Sequence, residues 1–169
     1  MNALLRPAGL PPTRPMVVAD LDVVMPVETS AYSHPWTRGN FIDSLAAGYR
    51  TLLQCDTEGG VLAYSVALPG FEETHLLNLT VAPVHQGQGL GSALLAELAD
   101  WARAQGDAAL WLEVRPSNVR ARTLYQRRGF VEVGLRRHYY PADKGQREDA
   151  VVMRLDLQAV TGSADHALE

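Results

Sequence analysis

Residues 80–98 read TVAPVHQGQGLGSALLAEL, and this stretch decides the fold of the 169-residue chain. An apolar, strand-like segment enters a loop with alternating glycines, and a helix with apolar periodicity begins directly after it. Glycine lets the backbone pass close to a ligand. The first amides of a helix have no intrahelical partner and lie at the positive end of the helix dipole. The junction therefore predicts a cradle for a phosphate group.

The spacing of the glycines distinguishes between known phosphate loops. A P-loop requires Gly-x-x-x-x-Gly-Lys, and no lysine follows these glycines. A dinucleotide-binding loop requires Gly-x-Gly-x-x-Gly or Ala, and that spacing ends here on Ser92 or Leu94. The pattern that fits is Gln86-x-x-Gly89-x-Gly91, which resembles the acetyl-CoA signature of the GCN5-related N-acetyltransferases. The loop alone leaves open a glycine-rich turn that binds no ligand.

Composition and charge exclude several classes of protein. The length suits one domain with a sizeable core, and the net charge of −4 disfavours a nucleic-acid-binding protein. Cys55 is the only cysteine, so no internal disulfide can form and a reducing compartment is expected. No apolar run approaches the ~20 residues of a membrane span, and the histidines lack metal-ligand spacing. We expect a cytoplasmic protein with no metal, no membrane association and no direct nucleic-acid partner.

The chain divides into three parts. Residues 1–13, with three prolines, predict an irregular N-terminal arm. Residues 14–157 form the predicted domain, and 158–169 read as a disordered tail. Antiparallel hairpin signals precede residue 74, and strands alternate with helices after it. This order predicts an α/β (α+β) fold with a mixed sheet of about seven strands flanked by about four helices.

Individual elements follow from periodicity and from turn residues. We expect a first strand over 14–18, and a helix capped by Asp20 with a kink or break at Pro26. A second helix runs from Trp36 to Gly48. The remaining strands are predicted over 50–55, 61–68, 74–81, 109–114, 130–135 and 150–155, with a polar loop over 141–149. Two further helices follow the glycine loop and Pro116.

Two polar side chains in apolar segments are candidates for acyl-transfer chemistry. Glu113 interrupts an apolar strand, where a carboxylate is costly unless it has a partner or faces a cleft, so it is a candidate base. Tyr125 lies on the apolar face of the next helix and is a candidate proton donor to a thiolate. A solvent-facing glutamate and a core-packing tyrosine are the alternatives. Asn118 either caps that helix or contacts a cofactor. Nothing indicates a base beside Cys55, so direct attack is expected rather than an acyl-cysteine.

Further motifs extend the resemblance over about residues 15–156. They occur in the order Asn78-Leu79-Thr80-Val81, the glycine loop, Leu110-Trp111-Leu112-Glu113-Val114-Arg115, Ser117-Asn118, Leu124-Tyr125, Arg128-Gly129-Phe130 and Tyr139-Tyr140-Pro141. Their order closely resembles the bacterial ribosomal-protein-alanine N-acetyltransferases, a branch of the GCN5-related (GNAT) superfamily. The resemblance implies a single GNAT domain that uses acetyl-CoA as acetyl donor.

The resemblance also implies a role for each site residue. Glu113 falls at the family's general base and Tyr125 at its general acid. The implied cofactor-binding residues are Leu79, Thr80 and Val81 for the thioester and pantetheine, Gly87, Gln88, Gly89, Leu90, Gly91 and Ser92 for the pyrophosphate, and Asn118. One departure concerns Gly87, which stands where these enzymes often carry arginine. A cationic contact to the pyrophosphate is then either missing or supplied from elsewhere.

These observations lead to one functional hypothesis and two alternatives. The chain is expected to acetylate the N-terminal α-amine of a protein, namely the N-terminal alanine of a small-subunit ribosomal protein. One alternative is an acetyltransferase of the same fold that acts on lysine side chains or small amines. The other is a non-catalytic module that senses acyl-CoA, which the presence of both Glu113 and Tyr125 disfavours. The sequence leaves the oligomeric state open.

Overall fold

A computed structural model describes residues 9–158 of the chain. Over this range seven strands form one mixed sheet, in the order β1-β2-β3-β4-β5-β7-β6, with four α-helices. The strands are β1 Thr13–Arg14, β2 Arg50–Cys55, β3 Val61–Pro69, β4 Glu73–Val81, β5 Ala109–Val114, β6 Val131–Pro141 and β7 Arg147–Asp156. The helices are α1 Leu21–Ala31, α2 Arg38–Ala46, α3 Leu90–Ala104 and α4 Val119–Arg127. The predicted architecture is confirmed.

The helices cover both faces of the sheet. Neighbouring residues of a strand point to opposite faces, and β2 shows this directly. Leu53 belongs to a core cluster with Leu21 of α1 and Phe41 of α2. Leu52 belongs to another cluster, with Leu90 and Leu94 of α3. The helices α1 and α2 therefore pack on one face, and α3 packs on the other.

The centre of the sheet contains its only parallel pair among the described strands. β4 and β5 pair from Glu73 opposite Ala109 to Leu76 opposite Leu112, and the pairing then stops although both strands continue. The register between β3 and β4 shifts at the same point, which leaves Leu77 as an extra residue in β4. A β-bulge of this kind bends a strand. The two strands therefore separate beyond Leu76 and open a split in the sheet.

The first predicted strand and helix differ in detail from the structure. The strand predicted over 14–18 is wrong, because β1 covers only Thr13–Arg14 and a 3-10 turn follows over Val18–Asp20. Asp20 precedes α1, but its carboxylate binds the Val17 amide and the Arg14 guanidinium and does not cap the helix. The helix also continues through Pro26. Pro26 and Asp22 are both exposed, so water can satisfy the carbonyl that loses its partner.

The last two strands are longer than the sequence predicts. β6 extends to Pro141 and β7 begins at Arg147, so the loop predicted over 141–149 shrinks to 142–146. β6 is an edge strand that is exposed along nearly its whole length. Its main-chain pairing with β7 holds it in place, and a pattern of burial cannot predict such a strand. Residues 1–8 and 159–169 lie outside the described residues, so the predicted arm, tail and domain boundaries stay predictions.

Candidate functional site

The glycine loop adopts the conformation that its sequence requires. Gly87 and Gly89 have φ of +83° and +81°, a left-handed backbone that side chains rarely adopt. Gly89 directly precedes α3, and the amides of Leu90, Gly91 and Ser92 have no hydrogen-bond acceptor within residues 9–158. A Cβ on Gly91 would lie 3.3 Å from Leu124 and 3.4 Å from Val81, so glycine permits this close packing. The loop therefore offers free amides to an anion at a helix N-terminus.

A cavity of about 730 Å³ lies beside this loop. Parts of α1, β4, the glycine loop, α3 and α4 enclose it, and its volume is within the range of small-molecule sites. The predicted site residues that line it are Leu79, Val81, Gly87, Gly89, Leu90, Gly91, Ser92, Asn118 and Tyr125. An open cavity next to a phosphate cradle fits an elongated ligand such as acetyl-CoA.

Three predicted site residues do not line this cavity: Thr80, Gln88 and Glu113. Thr80 is buried, and its hydroxyl lies 2.7 Å from both the Asn78 Oδ1 and the Tyr32 hydroxyl. The Tyr32 hydroxyl also donates to the Leu79 carbonyl over 3.0 Å. The hydrogen bonds of the Thr80 hydroxyl therefore hold β4 in place, whereas Leu79 and Val81 line the cavity.

Tyr32 is a site residue that the sequence did not indicate. It follows the last residue of α1 and lines the cavity. Burial raises its pKa to about 12, against the opposing effect of the Thr80 hydrogen bond. No local signal could have identified Tyr32, because its partner lies 48 residues further along the chain.

Glu28 of α1 anchors the same part of β4 from the protein interior. Its side chain is 1% exposed, and no cation pairs with it within the described residues. It accepts hydrogen bonds from the Tyr64 hydroxyl, the Asn78 amide at 3.3 Å and the Trp36 backbone amide at 3.0 Å. This buried network ties α1 to β3 and β4 beneath the split.

Tyr125 of α4 lines the cavity. It is 7% exposed, and its ring packs 5.7 Å from that of Phe130. The hydroxyl makes no hydrogen bond within residues 9–158. Burial raises the pKa of Tyr125 well above its usual value, with smaller contributions from Tyr32 and Tyr140. The hydroxyl is therefore protonated at neutral pH and available as a donor.

Glu113 lies on β5, one residue beyond its last pair with β4. Its side chain is 7% exposed, and Oε2 is hydrogen-bonded to Nε2 of His75 on β4. The Arg136 Nε of β6 lies 3.3 Å from Oε1, which is close enough for an ion pair although not aligned for a hydrogen bond. The carboxylate is thus held by groups from β4 and β6. Neither partner was indicated by the sequence.

Tyr140 connects the surroundings of Glu113 with those of Tyr125. Burial raises the pKa of Tyr140, and the negative charge of Glu113 raises it further. Tyr140 in turn contributes to the raised pKa of Tyr125. The guanidinium of Arg115 lies 4.4 Å from the centre of the Tyr140 ring. Tyr140 is thus an electrostatic neighbour of both Glu113 and Tyr125.

Asn118 both caps α4 and lines the cavity. Its Oδ1 accepts a hydrogen bond from the Ala121 amide over 3.2 Å, which confirms the predicted cap. Its contact with a cofactor stays a prediction.

Within the described residues, no group of three or more His, Cys, Asp or Glu side chains could hold a metal ion. In the same part of the chain, no helix is long and apolar enough to cross a membrane.

Comparisons with known proteins identify the family. The model of the acetyltransferase (GNAT) family matches residues 21–130. The ribosomal protein bS18-alanine N-acetyltransferase of Escherichia coli K12 is 39% identical over 138 residues, which are 82% of this chain and 92% of that protein. The enzyme of the same name from Haemophilus ducreyi is 35% identical over 84% of this chain and 97% of its own length.

Solved structures agree with this assignment. The crystal structure of the ribosomal-protein-S18-alanine N-acetyltransferase from E. coli superposes with a TM-score of 0.79 at 35% identity, covering 93% of this chain and 97% of that one. Ard1 from Thermoplasma volcanium has the same fold, with a TM-score of 0.75 at 22% identity, over 86% of this chain and 97% of Ard1. The chain therefore belongs to the GNAT family of N-acetyltransferases, which take the acetyl group from acetyl-CoA.

Proposed function

We propose that this enzyme acetylates the N-terminal α-amine of a protein, and that its substrate is the N-terminal alanine of ribosomal protein bS18. The observation that carries the proposal is the 39% identity with the E. coli enzyme of that name, which extends over most of both chains. The proposed substrate also places the reaction in the cytoplasm, where ribosomal proteins are made and assembled.

Glu113 is the proposed general base. The attacking amine must lose a proton as its nitrogen bonds to the acetyl carbon, and a carboxylate at the split can accept that proton directly or through one water. His75 and Arg136 hold the two carboxylate oxygens from opposite sides. These contacts orient the Glu113 carboxylate. An α-amine with a pKa of about 7.7–8 needs only modest help at neutral pH.

Tyr125 is the proposed general acid. As the C–N bond forms and the C–S bond breaks, the departing sulfur needs a proton, which the Tyr125 hydroxyl would supply. Three features support this role: Tyr125 lines the cavity, its hydroxyl is protonated at neutral pH, and no acceptor within residues 9–158 holds its proton. Acetyl-CoA supplies the activated acetyl group, and its phosphates would lie on the amides of the glycine loop. Backbone groups of β4 beyond Leu77, which lack a strand partner on the β5 side, would hold the pantetheine.

Peptide acetylation followed by mass spectrometry tests the proposal. The enzyme is incubated with acetyl-CoA and peptides that begin with alanine, serine, glycine or methionine, each carrying an internal lysine. Matched peptides with a blocked N-terminus and the polyamine spermidine serve as controls. We expect acetylation of the α-amine, and the peptide that carries the N-terminal residues of bS18 should react fastest. The peptides with a blocked N-terminus should not be acetylated.

Other outcomes would assign the enzyme differently. Acetylation of the blocked peptides would show a lysine acetyltransferase, and acetylation of spermidine alone would show a small-amine acetyltransferase. Binding of acetyl-CoA without transfer to any acceptor would contradict the proposed substrate and favour a sensing role. Purified bS18 with its alanine exposed is the decisive substrate, because it presents the residues that follow the alanine in their natural order.

A further inference from the structure

The glycine loop carries no arginine or lysine. Residues 85–92 read HQGQGLGS, so the loop itself supplies no guanidinium or ammonium group to a bound phosphate. Amides at a helix N-terminus provide partial positive charge, whereas a guanidinium adds a full charge and geometry that matches phosphate oxygens. A cation from outside the loop would complete this phosphate site.

Arg120 of α4 lies in the position that such a cation requires. Its Nη2 is 3.7 Å from the point that a Cβ on Gly87 would occupy, and its side chain lines the cavity. Its Nη1 donates to the Gln86 Oε1 over 3.0 Å. The Gln86 side chain is itself tied to the Val81 carbonyl at 3.4 Å. The end of β4 therefore fixes Gln86, and Gln86 orients Arg120 over the loop.

Three arginines near the loop have no acidic partner within residues 9–158: Arg120, Arg127, which also lines the cavity, and Arg128, whose Nε donates to the Ser92 Oγ. Of these, Arg120 is the one whose guanidinium lies beside Gly87. Arg115 pairs with Glu148, Arg122 with Glu132, and Arg136 with Glu113. Arg120 makes no ion pair within residues 9–158, and its one side-chain partner there is the neutral Gln86. Its charge is therefore uncompensated beside a loop of free amides, which favours an anionic ligand.

We propose that Arg120 binds the pyrophosphate of coenzyme A and supplies from α4 the cationic contact that Gly87 cannot make. Gln86 is then a positioning residue that holds the guanidinium at the mouth of the loop. The proposal rests on acetyl-CoA as the donor and is independent of the identity of the acetyl acceptor. It also explains how the loop keeps glycine at position 87, where φ is +83°, without losing a charged contact.

Calorimetric titration without an acetyl acceptor tests this proposal. Coenzyme A and dephospho-CoA, which keeps the pyrophosphate but lacks the 3′-phosphate, are titrated into the full-length wild type and Arg120→Ala. Losing one charge-assisted hydrogen-bonding partner should weaken binding of both ligands about tenfold. Pantetheine, which has no phosphate, should bind equally to both proteins in ligand-detected NMR. Arg120→Lys should keep part of the affinity, because it restores the charge without the planar fork.

Arg103→Ala is the matched control, because it also removes one exposed positive charge from a helix but lies outside the cavity. Its affinity for coenzyme A should stay within about twofold of wild type. An unchanged affinity of Arg120→Ala for coenzyme A would overturn the proposal. So would an equal loss for pantetheine, which would indicate a distorted cavity, or a loss confined to coenzyme A, which would assign Arg120 to the 3′-phosphate. Because no acceptor is present, a wrong assignment of the protein substrate would not alter these results.

Discussion

Removal of Glu28 tests whether the buried network beneath the split stabilises the enzyme. The substitution Glu28→Ala would leave three buried or half-buried donors without their acceptor: the Tyr64 hydroxyl, the Asn78 amide and the Trp36 backbone amide. Each buried donor left unpaired costs about 1–3 kcal/mol. The loss is partly offset because the variant no longer buries a carboxylate that lacks a cationic partner. Since both Asn78 contacts are long, at 3.3 Å, we expect a net loss of about 3 kcal/mol.

Urea denaturation followed by circular dichroism measures this loss. For a chain of this size, about 3 kcal/mol corresponds to a melting temperature lower by roughly 6–12 °C. Glu28→Gln keeps an acceptor oxygen and should lose less stability than Glu28→Ala. Tyr64→Phe removes only a hydroxyl from a fully buried ring. The double variant should then lose less than the sum of the two single losses, because the residues share a hydrogen bond.

Two results would refute this reasoning. A loss below about 1 kcal/mol for Glu28→Ala would show that the donors find other partners. A more stable variant would show that the cost of burying the carboxylate exceeds the value of its hydrogen bonds. Additive losses in the double variant would separately show that Glu28 and Tyr64 do not act together.

Three further predictions concern catalysis and acid stability. Tyr125→Phe should lower kcat about 100-fold or more but keep coenzyme A affinity and melting temperature, measured by calorimetry; an unchanged kcat would remove Tyr125 from the acid role. Glu113→Gln should lose most activity at lower pH, where more of the amine is protonated, and a uniform defect across the pH–rate profile would contradict a base. The hydrogen bond from Arg14 lowers the pKa of Asp20. The ionised Asp20 therefore stabilises the folded state above its unfolded pKa of about 3.9, and this stabilisation is lost as the pH falls through the lower pKa of the folded state. Asp20→Asn should therefore be less stable than wild type at pH 7, and urea denaturation should show the gap closing in acid; a constant gap would contradict this origin.

Much of the fold could be predicted because its signals are local. The apolar periodicity of α3 and the capping residues before α2 and α4 act over a few residues. The elements from β2 to α4 therefore lie close to their predicted bounds. The ends of the chain were predicted less well. β1 is too short to show an alternation of apolar and polar residues. The exposed edge strand β6 gains its length from main-chain pairing, which its side chains do not encode.

The candidate site divides in a similar way. The glycine loop could be located from sequence, since only glycine adopts its left-handed backbone readily. The surroundings of Glu113 could not, because His75 and Arg136 approach it from strands distant in sequence. The sequence also left open which element could supply a cation to the glycine loop. In the structure, α4 places Arg120 beside Gly87.

The sequence by itself determined the position of the glycine loop and of the helix that follows it, because glycine spacing and helical periodicity depend on backbone conformation within one turn. Only the tertiary structure decided where β4 separates from β5, and which side chains meet at that split. Those outcomes depend on strand register and on contacts between residues tens of positions apart. Long-range packing fixes such contacts, and no segment of the chain specifies them alone.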